Sequence, residues 1–207
     1  MRGCFRIKLL KVRKIKGSMT EEKIKFIDPQ HIDITDVELS GRILDIGGGG
    51  EGIIGLLKGE NVIAIDRRES ELKEAPPGDY LQIIMDAKEL KFIDEAFDTA
   101  TAFFTLMYVP LENHQIIFQE IHRVLKKGGE FVVWDFPIPK RDMHEKELYG
   151  LMLEVKIRDT NISTGYATKW VKEQDLEYYG KLGASNGFSV VEKYPIDGMF
   201  YIRFKKD

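Results

Sequence analysis

A chain of 207 residues, 43% hydrophobic and 31% charged, is long enough for one domain with a sizeable buried core. No apolar run approaches the length that crosses a bilayer, so no membrane partner is expected. The single cysteine, Cys4, excludes an internal disulfide framework and a multi-thiolate metal site, and points to a reducing, cytoplasmic setting.

The net charge of −3 is unevenly placed. Residues 1–17 carry Arg2, Arg6, Lys8, Lys11, Arg13, Lys14 and Lys16 and no acid, which makes them a basic arm on an acidic body. Such an arm is a candidate nucleic-acid contact, set against a solvated tail or an edge strand, with Met19 as an alternative start. Residues 18–207 then read as a single domain. Ser18 and Glu21 have the spacing of a capping box and predict a short helix through about Ile27, closed at Asp28-Pro29.

From there strands and helices alternate. RILDI (42–46) reads as a strand, and GIIGLLKG (52–59) as a helix with Gly59 as its stop. NVIAID (61–66) is the next strand, and YLQIIMD (80–86) follows the Pro76-Pro77-Gly78 turn. A fourth strand lies within 96–109. A helix over 111–129 shows three-four apolar spacing at Ile116, Ile117, Ile121, Val124 and Leu125. GEFVVWDF (129–136) is a fifth, almost continuously apolar strand. Strands of this kind, buried on both faces and alternating with helices, imply an α/β fold with a doubly wound, mostly parallel sheet and helices on both faces. The end of the chain differs: a helix over 172–188 closes at Gly187, and two last strands flank a turn at Pro195 to Gly198, a C-terminal antiparallel hairpin. Residues 137–171 are too long for a simple connection and predict an inserted hairpin, with strands on either side of Arg158 to Asn161.

The chemistry concentrates in ILDIGGGGEG. Gly47, Gly49 and Gly52 satisfy G-x-G-x-x-G, and Asp66 ends the following strand, where an acid can take ribose hydroxyls. That geometry serves any nucleoside cofactor. Asp45 discriminates, because a carboxylate pointed into the mouth of the loop opposes a pyrophosphate and is a counter-ion, directly or through water, for a ligand carrying an ammonium and a sulfonium.

At this point the chain resembles the class I S-adenosylmethionine-dependent methyltransferases, in order, over most of residues 42–136. ILDIGGGGEG is similar to their glycine loop, with Asp45, Gly47 and Gly49 at matching positions. VIAID is similar to their second-strand motif, which implies Asp66 for the ribose diol. IIMDAKEL is similar to their third, which implies Asp86 for the adenine amino group and Ala87 beside the ring. EIHRVLKKGGEFVV resembles the helix-turn-strand that follows the strand facing the transferred methyl. The resemblance further implies a seven-stranded sheet with one antiparallel strand. The family's third glycine commonly sits where this chain has Glu51, which reads here as a solvated charge at a helix N-terminus, with a contact to the cofactor as the alternative.

Methyl transfer from a sulfonium asks mainly for alignment, so catalytic residues need not be legible, and none is assigned here. Tyr108, just past the fourth strand, and His114, in the next helix, are the candidates. Residues 137–171 are read as a lid over the acceptor, with Tyr149, Tyr166 and Trp170 facing the pocket; a dimer contact there, hence a homo-oligomer, or a satellite core is the competing reading. His31, His114, His122 and His144 lack metal-ligand spacing, so no metal is expected. The Asn/Asp-Pro-Pro-aromatic tetrapeptide of base amino-methylating enzymes is missing after the fourth strand. The expectation is therefore a methyltransferase that uses S-adenosylmethionine, releases S-adenosylhomocysteine and acts on a small-molecule acceptor. Alternatives are an RNA or protein methyltransferase docking through residues 1–17, an NAD-dependent oxidoreductase, and a non-catalytic cofactor-binding scaffold.

Overall fold

The computed structural model describes residues 23–142 and 145–207; the basic arm 1–17 with Cys4, the capping box at Ser18 and Glu21, Met19 and His144 lie outside them. Eleven strands and four helices follow in the order β1 (Ile24–Phe26), β2 (Gln30–Asp33), β3 (Ile43–Ile46), α1 (Ile53–Lys58), β4 (Val62–Asp66), α2 (Glu69–Glu74), β5 (Leu81–Ile84), β6 (Phe97–Phe103), α3 (Leu111–Val124), β7 (Leu125–Asp135), β8 (Leu148–Ile157), β9 (Thr160–Lys169), α4 (Leu176–Ala184), β10 (Phe188–Ile196) and β11 (Met199–Lys206). Among the described residues no helix is long and apolar enough to cross a membrane.

Seven strands form the main sheet in the order β10-β11-β7-β6-β3-β4-β5. The pairs from β7 through β5 are all parallel, whereas β11 runs antiparallel to both β7 and β10. The sheet is thus mixed, as the resemblance implied. From β3 the chain steps outward through β4 to β5, and then returns to the other side of β3 with β6 and β7. The order reverses between β3 and β6, and a ligand-binding crevice opens at such a point, outside the carboxyl ends of the strands.

Alternation along the central strands divides the core in two. Ile43 of β3 and Val132 and Trp134 of β7 join one cluster; Leu44, Ile46, Phe131 and Val133 join the other. Ile117, Phe118 and Ile121 of α3 and Tyr179 of α4 cover the second. The first is covered by Ile53, Ile54 and Leu57 of α1 together with a second sheet, so helices alone do not sandwich the strands.

That second sheet is a four-stranded unit with β8 at its centre. β9 pairs antiparallel to β8 through ten residues, from Leu148↔Lys169 to Ile157↔Thr160, so the hairpin expected in the insertion is present. Its other edge differs from expectation. Ile24–Phe26 is a strand, not the end of a helix, and pairs parallel to Leu148–Gly150; Gln30–Asp33 continues along the same edge opposite Leu153–Lys156. Asp28-Pro29 interrupts this edge, where the proline can donate no ladder hydrogen bond. The pairing partner lies more than 120 residues away, so local spacing could not reveal it.

Three local features also differ from expectation. α3 stops at Val124 and β7 begins at once, four residues before the expected strand. Gly128 (φ 73°) lets the chain turn there, and a Cβ on Gly129 would sit 2.9 Å from the Asp98 carbonyl. α2, not anticipated, is a polar turn and a half stabilised by Glu69–Lys73 (2.7 Å) and Arg68–Glu71 (2.9 Å) pairs. In the terminal hairpin the turn is Asp197-Gly198 alone, and Pro195 lies within β10, an edge strand where a missing donor is tolerated.

Phe118 is fully buried, with its ring 5.3–6.3 Å from those of Phe131, Tyr179, Phe188 and Phe204. Truncation leaves a cavity that these large rings cannot collapse to fill. Phe118→Ala is expected to lower unfolding free energy by about 3–5 kcal/mol, read as the shift in urea midpoint. A loss below about 1 kcal/mol would contradict this packing.

Candidate functional site

The glycine loop leaves β3 at the order reversal. Gly47 has φ 72°, and a Cβ there would collide with the Thr105 side chain, so the position excludes any larger residue twice over. The Gly47 and Gly48 amides both donate to the Ile65 carbonyl, at 2.8 and 3.0 Å, and the Gly50 amide donates to Glu71, at 2.7 Å. Gly49 packs on α2, where a Cβ would lie 2.6 Å from that of Glu71. The loop is therefore anchored to β4 and α2 by its own amides, and those donors are not offered to a ligand.

Asp45 lies beneath it. Its carboxylate is 2% exposed, accepts from the Thr101 hydroxyl at 2.8 Å across the β3–β6 pair, and leaves no room for a Cβ at Gly48. Burial raises its pKa to about 7, against the lowering effect of the Thr101 bond and with a small push from Asp66.

A cavity of about 520 Å³ opens at the carboxyl ends of β3, β4, β5 and β6. One half is bounded by Ile46-Gly47, by Ile65 to Arg68 after β4, and by Met85 to Lys88 after β5. Asp66 and Asp86 occupy equivalent corners: each carboxylate accepts, at 2.9 Å, from the amide two residues on, that of Arg68 or Lys88. The other half is bounded by Thr105, Met107 to Pro110 and Asn113, and by Ala167 to Lys169, Val171 and Lys172 from the second sheet and its exit.

Of the six expected cofactor residues, Gly47, Asp66, Asp86 and Ala87 line this cavity together. Asp45 and Gly49 do not; they support the loop from below and behind. Tyr108 lines the cavity. His114 does not. Its ring is fully buried, Nδ1 accepts from the Tyr178 hydroxyl at 2.8 Å, and Nε2 donates to the carbonyls of Leu106 (3.3 Å) and Val109 (3.1 Å). Burial, then the nearby Lys172 charge, pulls its pKa to about 4, so it is neutral at physiological pH and holds a turn instead of a substrate.

Tyr149, Tyr166 and Trp170 likewise turn away from the cavity, at 8%, 2% and 3% exposure. Tyr166 stacks on Phe104 at 5.0 Å, Tyr149 packs on Trp170 at 4.5 Å, and the Trp170 indole donates to the Pro139 carbonyl. They fasten the second sheet to the main one, and their neighbours in β9 form the wall. Glu51, expected to be solvated, accepts from the hydroxyls of Thr164 (2.6 Å) and Tyr166 (3.2 Å), which ties the glycine loop to β9.

Residues missed in the sequence hold the turn at Leu106–Tyr108. Asp135, buried at the end of β7, accepts from the Met107 and Phe136 amides at 2.9 Å, and burial raises its pKa. The Thr168 hydroxyl donates to the Met107 carbonyl at 3.0 Å. Lys172 Nζ donates to Leu106 (2.9 Å) and Val109 (2.6 Å), and burial lowers its pKa. The only sequence signal for Asp135 was a carboxylate ending an apolar strand; Lys172 follows a hairpin and carried none.

The family model described as a methyltransferase domain matches residues 44–133. The chain is 33% identical over 135 residues to the sterol 4-C-methyltransferase of Caenorhabditis elegans, covering 59% of this chain and 39% of that protein. It is 49% identical over 49 residues to the phosphatidylethanolamine N-methyltransferase of Cereibacter sphaeroides, covering 24% and 23%. The chain thus spans well under half the length of either curated relative. A SAM-dependent methyltransferase from Methanosarcina mazei shares the fold with a TM-score of 0.62 and 21% identity, over 82% of this chain and 94% of that one. A protein from Pyrococcus horikoshii OT3 does so with a TM-score of 0.59 and 17% identity, over 84% and 85%.

The Asp45 environment sets a pH dependence. Because its folded pKa is raised from 3.8 to about 7, the penalty for holding it ionised is absent below 3.8, grows as pH rises, and is complete above about 7. Asp45→Asn removes that penalty and keeps an acceptor for Thr101. The ligand-free variant is expected to gain stability relative to the parent between about pH 4 and about pH 8, by up to about 4 kcal/mol. Urea unfolding at both pH values checks this; a stability difference independent of pH would refute it.

Proposed function

We propose that this chain, which matches a methyltransferase-domain model over residues 44–133, is a class I S-adenosylmethionine-dependent methyltransferase that binds its cofactor in the cavity at the β3/β6 reversal and methylates a small, partly apolar acceptor. One observation carries the reading: Gly47, Asp66, Asp86 and Ala87, contributed by the ends of three strands, converge on one wall of a single cavity. Its volume suits a cofactor and a small acceptor, within the range of about 300–1,000 Å³ usual for such sites.

The residues present fit this cofactor better than a dinucleotide. Pyrophosphate is held by unspent loop amides at a helix N-terminus. Here the Gly47, Gly48 and Gly50 amides are spent on Ile65 and Glu71, and Asp45 adds an anion below. S-adenosylmethionine has no phosphate. Asp66 and Asp86, each with one oxygen already bonded to backbone, would accept from the ribose hydroxyls and the adenine amino group. Ala87 leaves room for the ring, and Asp45 lends negative potential beneath the loop without direct contact.

When bound, the cofactor supplies a methyl group already activated on a sulfonium. The protein's part is then alignment and exclusion of water. Tyr108, Pro110 and Asn113 face the acceptor half of the cavity, and residues 167–172 wall it from the other side. In this reading the insertion at 137–171 acts as a fixed roof, with its aromatic residues as the fastening. The names of the two curated relatives, acting on a sterol and a phospholipid, support an acceptor with apolar bulk. No described residue favours RNA or protein docking.

Calorimetric titration with S-adenosylmethionine, S-adenosylhomocysteine and NAD tests the reading. The first two are expected to bind and NAD is not. Asp66→Ala is expected to weaken S-adenosylhomocysteine at least tenfold, about 1.4 kcal/mol, with the melting temperature unchanged. Binding of NAD in place of the sulfonium pair would overturn the assignment.

A further inference from the structure

The two halves of the cavity differ in charge. The carboxylates that line it, Asp66 and Asp86, both stand in the half bounded by β4 and β5, each with a cation near it: Arg68 Nε at 3.9 Å and Lys88 Nζ at 3.6 Å. The half bounded by the 105–113 segment and β9 has no carboxylate in its lining, and it holds Lys169 and Lys172. Around these the surface is apolar or neutral: Met107, Val109, Pro110, Ala167 and Val171.

Lys172 is the telling residue. Its ammonium carries three donors, of which two go to the Leu106 and Val109 carbonyls. The carboxylates nearest to it electrically are Asp135 and Glu112. Asp135 is turned to the Met107 and Phe136 amides, and Glu112 lies exposed at the start of α3. His114, on the far side of the same carbonyls, is neutral. A half-dehydrated cation on an apolar wall is costly unless an anion completes its shell. Two carbonyl dipoles do only part of this.

Resting on the methyl-transfer reading above, we propose that the acceptor is an acidic apolar small molecule, whose anionic oxygen group is held by Lys172 at the wall of the cavity with Lys169 at its mouth. The apolar body then lies against Val109, Pro110 and Val171, and the sulfonium half stays with Asp66 and Asp86. The half that holds Asp66 and Asp86 also carries Arg67, Arg68 and Lys88, so what sets the acceptor half apart is that no carboxylate stands beside its lysines in the lining, and a cationic acceptor is rejected there.

The test uses the intact chain saturated with S-adenosylhomocysteine and a matched pair of fluorescent probes, 2-naphthoate and its neutral amide. The parent is expected to bind the acid at least tenfold more tightly than the amide. Lys172→Met is expected to bring that ratio close to one, Lys172→Arg to preserve most of it, and Lys169→Met to lower it about two- to threefold. Lys127→Met, whose side chain is exposed near the start of β7 and away from this cavity, serves as the unchanged control. Equal binding of acid and amide by the parent, no binding of the acid at millimolar concentration, or an undiminished ratio in Lys172→Met would each overturn the proposal. Should Lys172→Met fail to fold, an unchanged ratio in Lys169→Met does the same. Failure of the parent to bind S-adenosylhomocysteine would instead defeat the methyl-transfer reading on which this rests.

Discussion

The site depends on one short turn, Leu106–Tyr108, and on how firmly it is held. A turn at the end of a parallel strand has backbone groups with no sheet partner, and buried groups of that kind must be satisfied elsewhere. Here four side chains, from β7, β9, α3 and the segment after β9, satisfy them: Asp135 takes the Met107 amide, Thr168 the Met107 carbonyl, and His114 and Lys172 share the carbonyls of Leu106 and Val109. Tyr108 and Pro110 are thereby placed at the wall of the cavity by hydrogen bonds instead of by packing alone. A site that works chiefly by alignment needs this rigidity more than it needs a reactive side chain.

A second layer of support runs beneath the glycines. Asp45 and Thr101 face each other in register across β3 and β6, the two strands between which the chain order reverses. A buried carboxylate is costly, and one hydroxyl offsets only part of that cost. The arrangement places negative potential under a ligand of positive charge while the loop amides are bonded away. Cofactor preference in this chain is thus expressed by what the loop withholds as much as by what it presents.

The second sheet joins these two layers. β9 touches the glycine loop through Glu51 and the post-β6 turn through Thr168, so one strand braces both walls of the cavity. Its own edge is completed by β1 and β2, from the other end of the described chain. The aromatic residues Tyr149, Tyr166 and Trp170 are spent in securing this sheet against Phe104, Phe136 and Pro139. The residues between and after Tyr166 and Trp170, namely Ala167, Thr168, Lys169, Val171 and Lys172, line the cavity in their place.

The sequence by itself determined the parallel core, because strands such as ILDI and FVVWD are apolar on both faces and their glycine and proline punctuation is local. It also determined the half of the cavity bounded by β4 and β5. Gly47, Asp66, Asp86 and Ala87 sit at strand ends, where a conformational or charge requirement is written in the residue type. The tertiary structure alone decided the other half. Ile24–Phe26 is a strand only because β8 lies beside it, Lys172 matters only because the Leu106 and Val109 carbonyls meet it, and Glu51 is a clasp only because β9 passes above. These are contacts between residues some 60 to 120 positions apart, and no periodicity within either segment encodes them. The same physics moved Tyr166 and Trp170 from pocket to core: an aromatic ring is buried wherever the fold offers the most apolar area, and that place is known only once the sheets are packed.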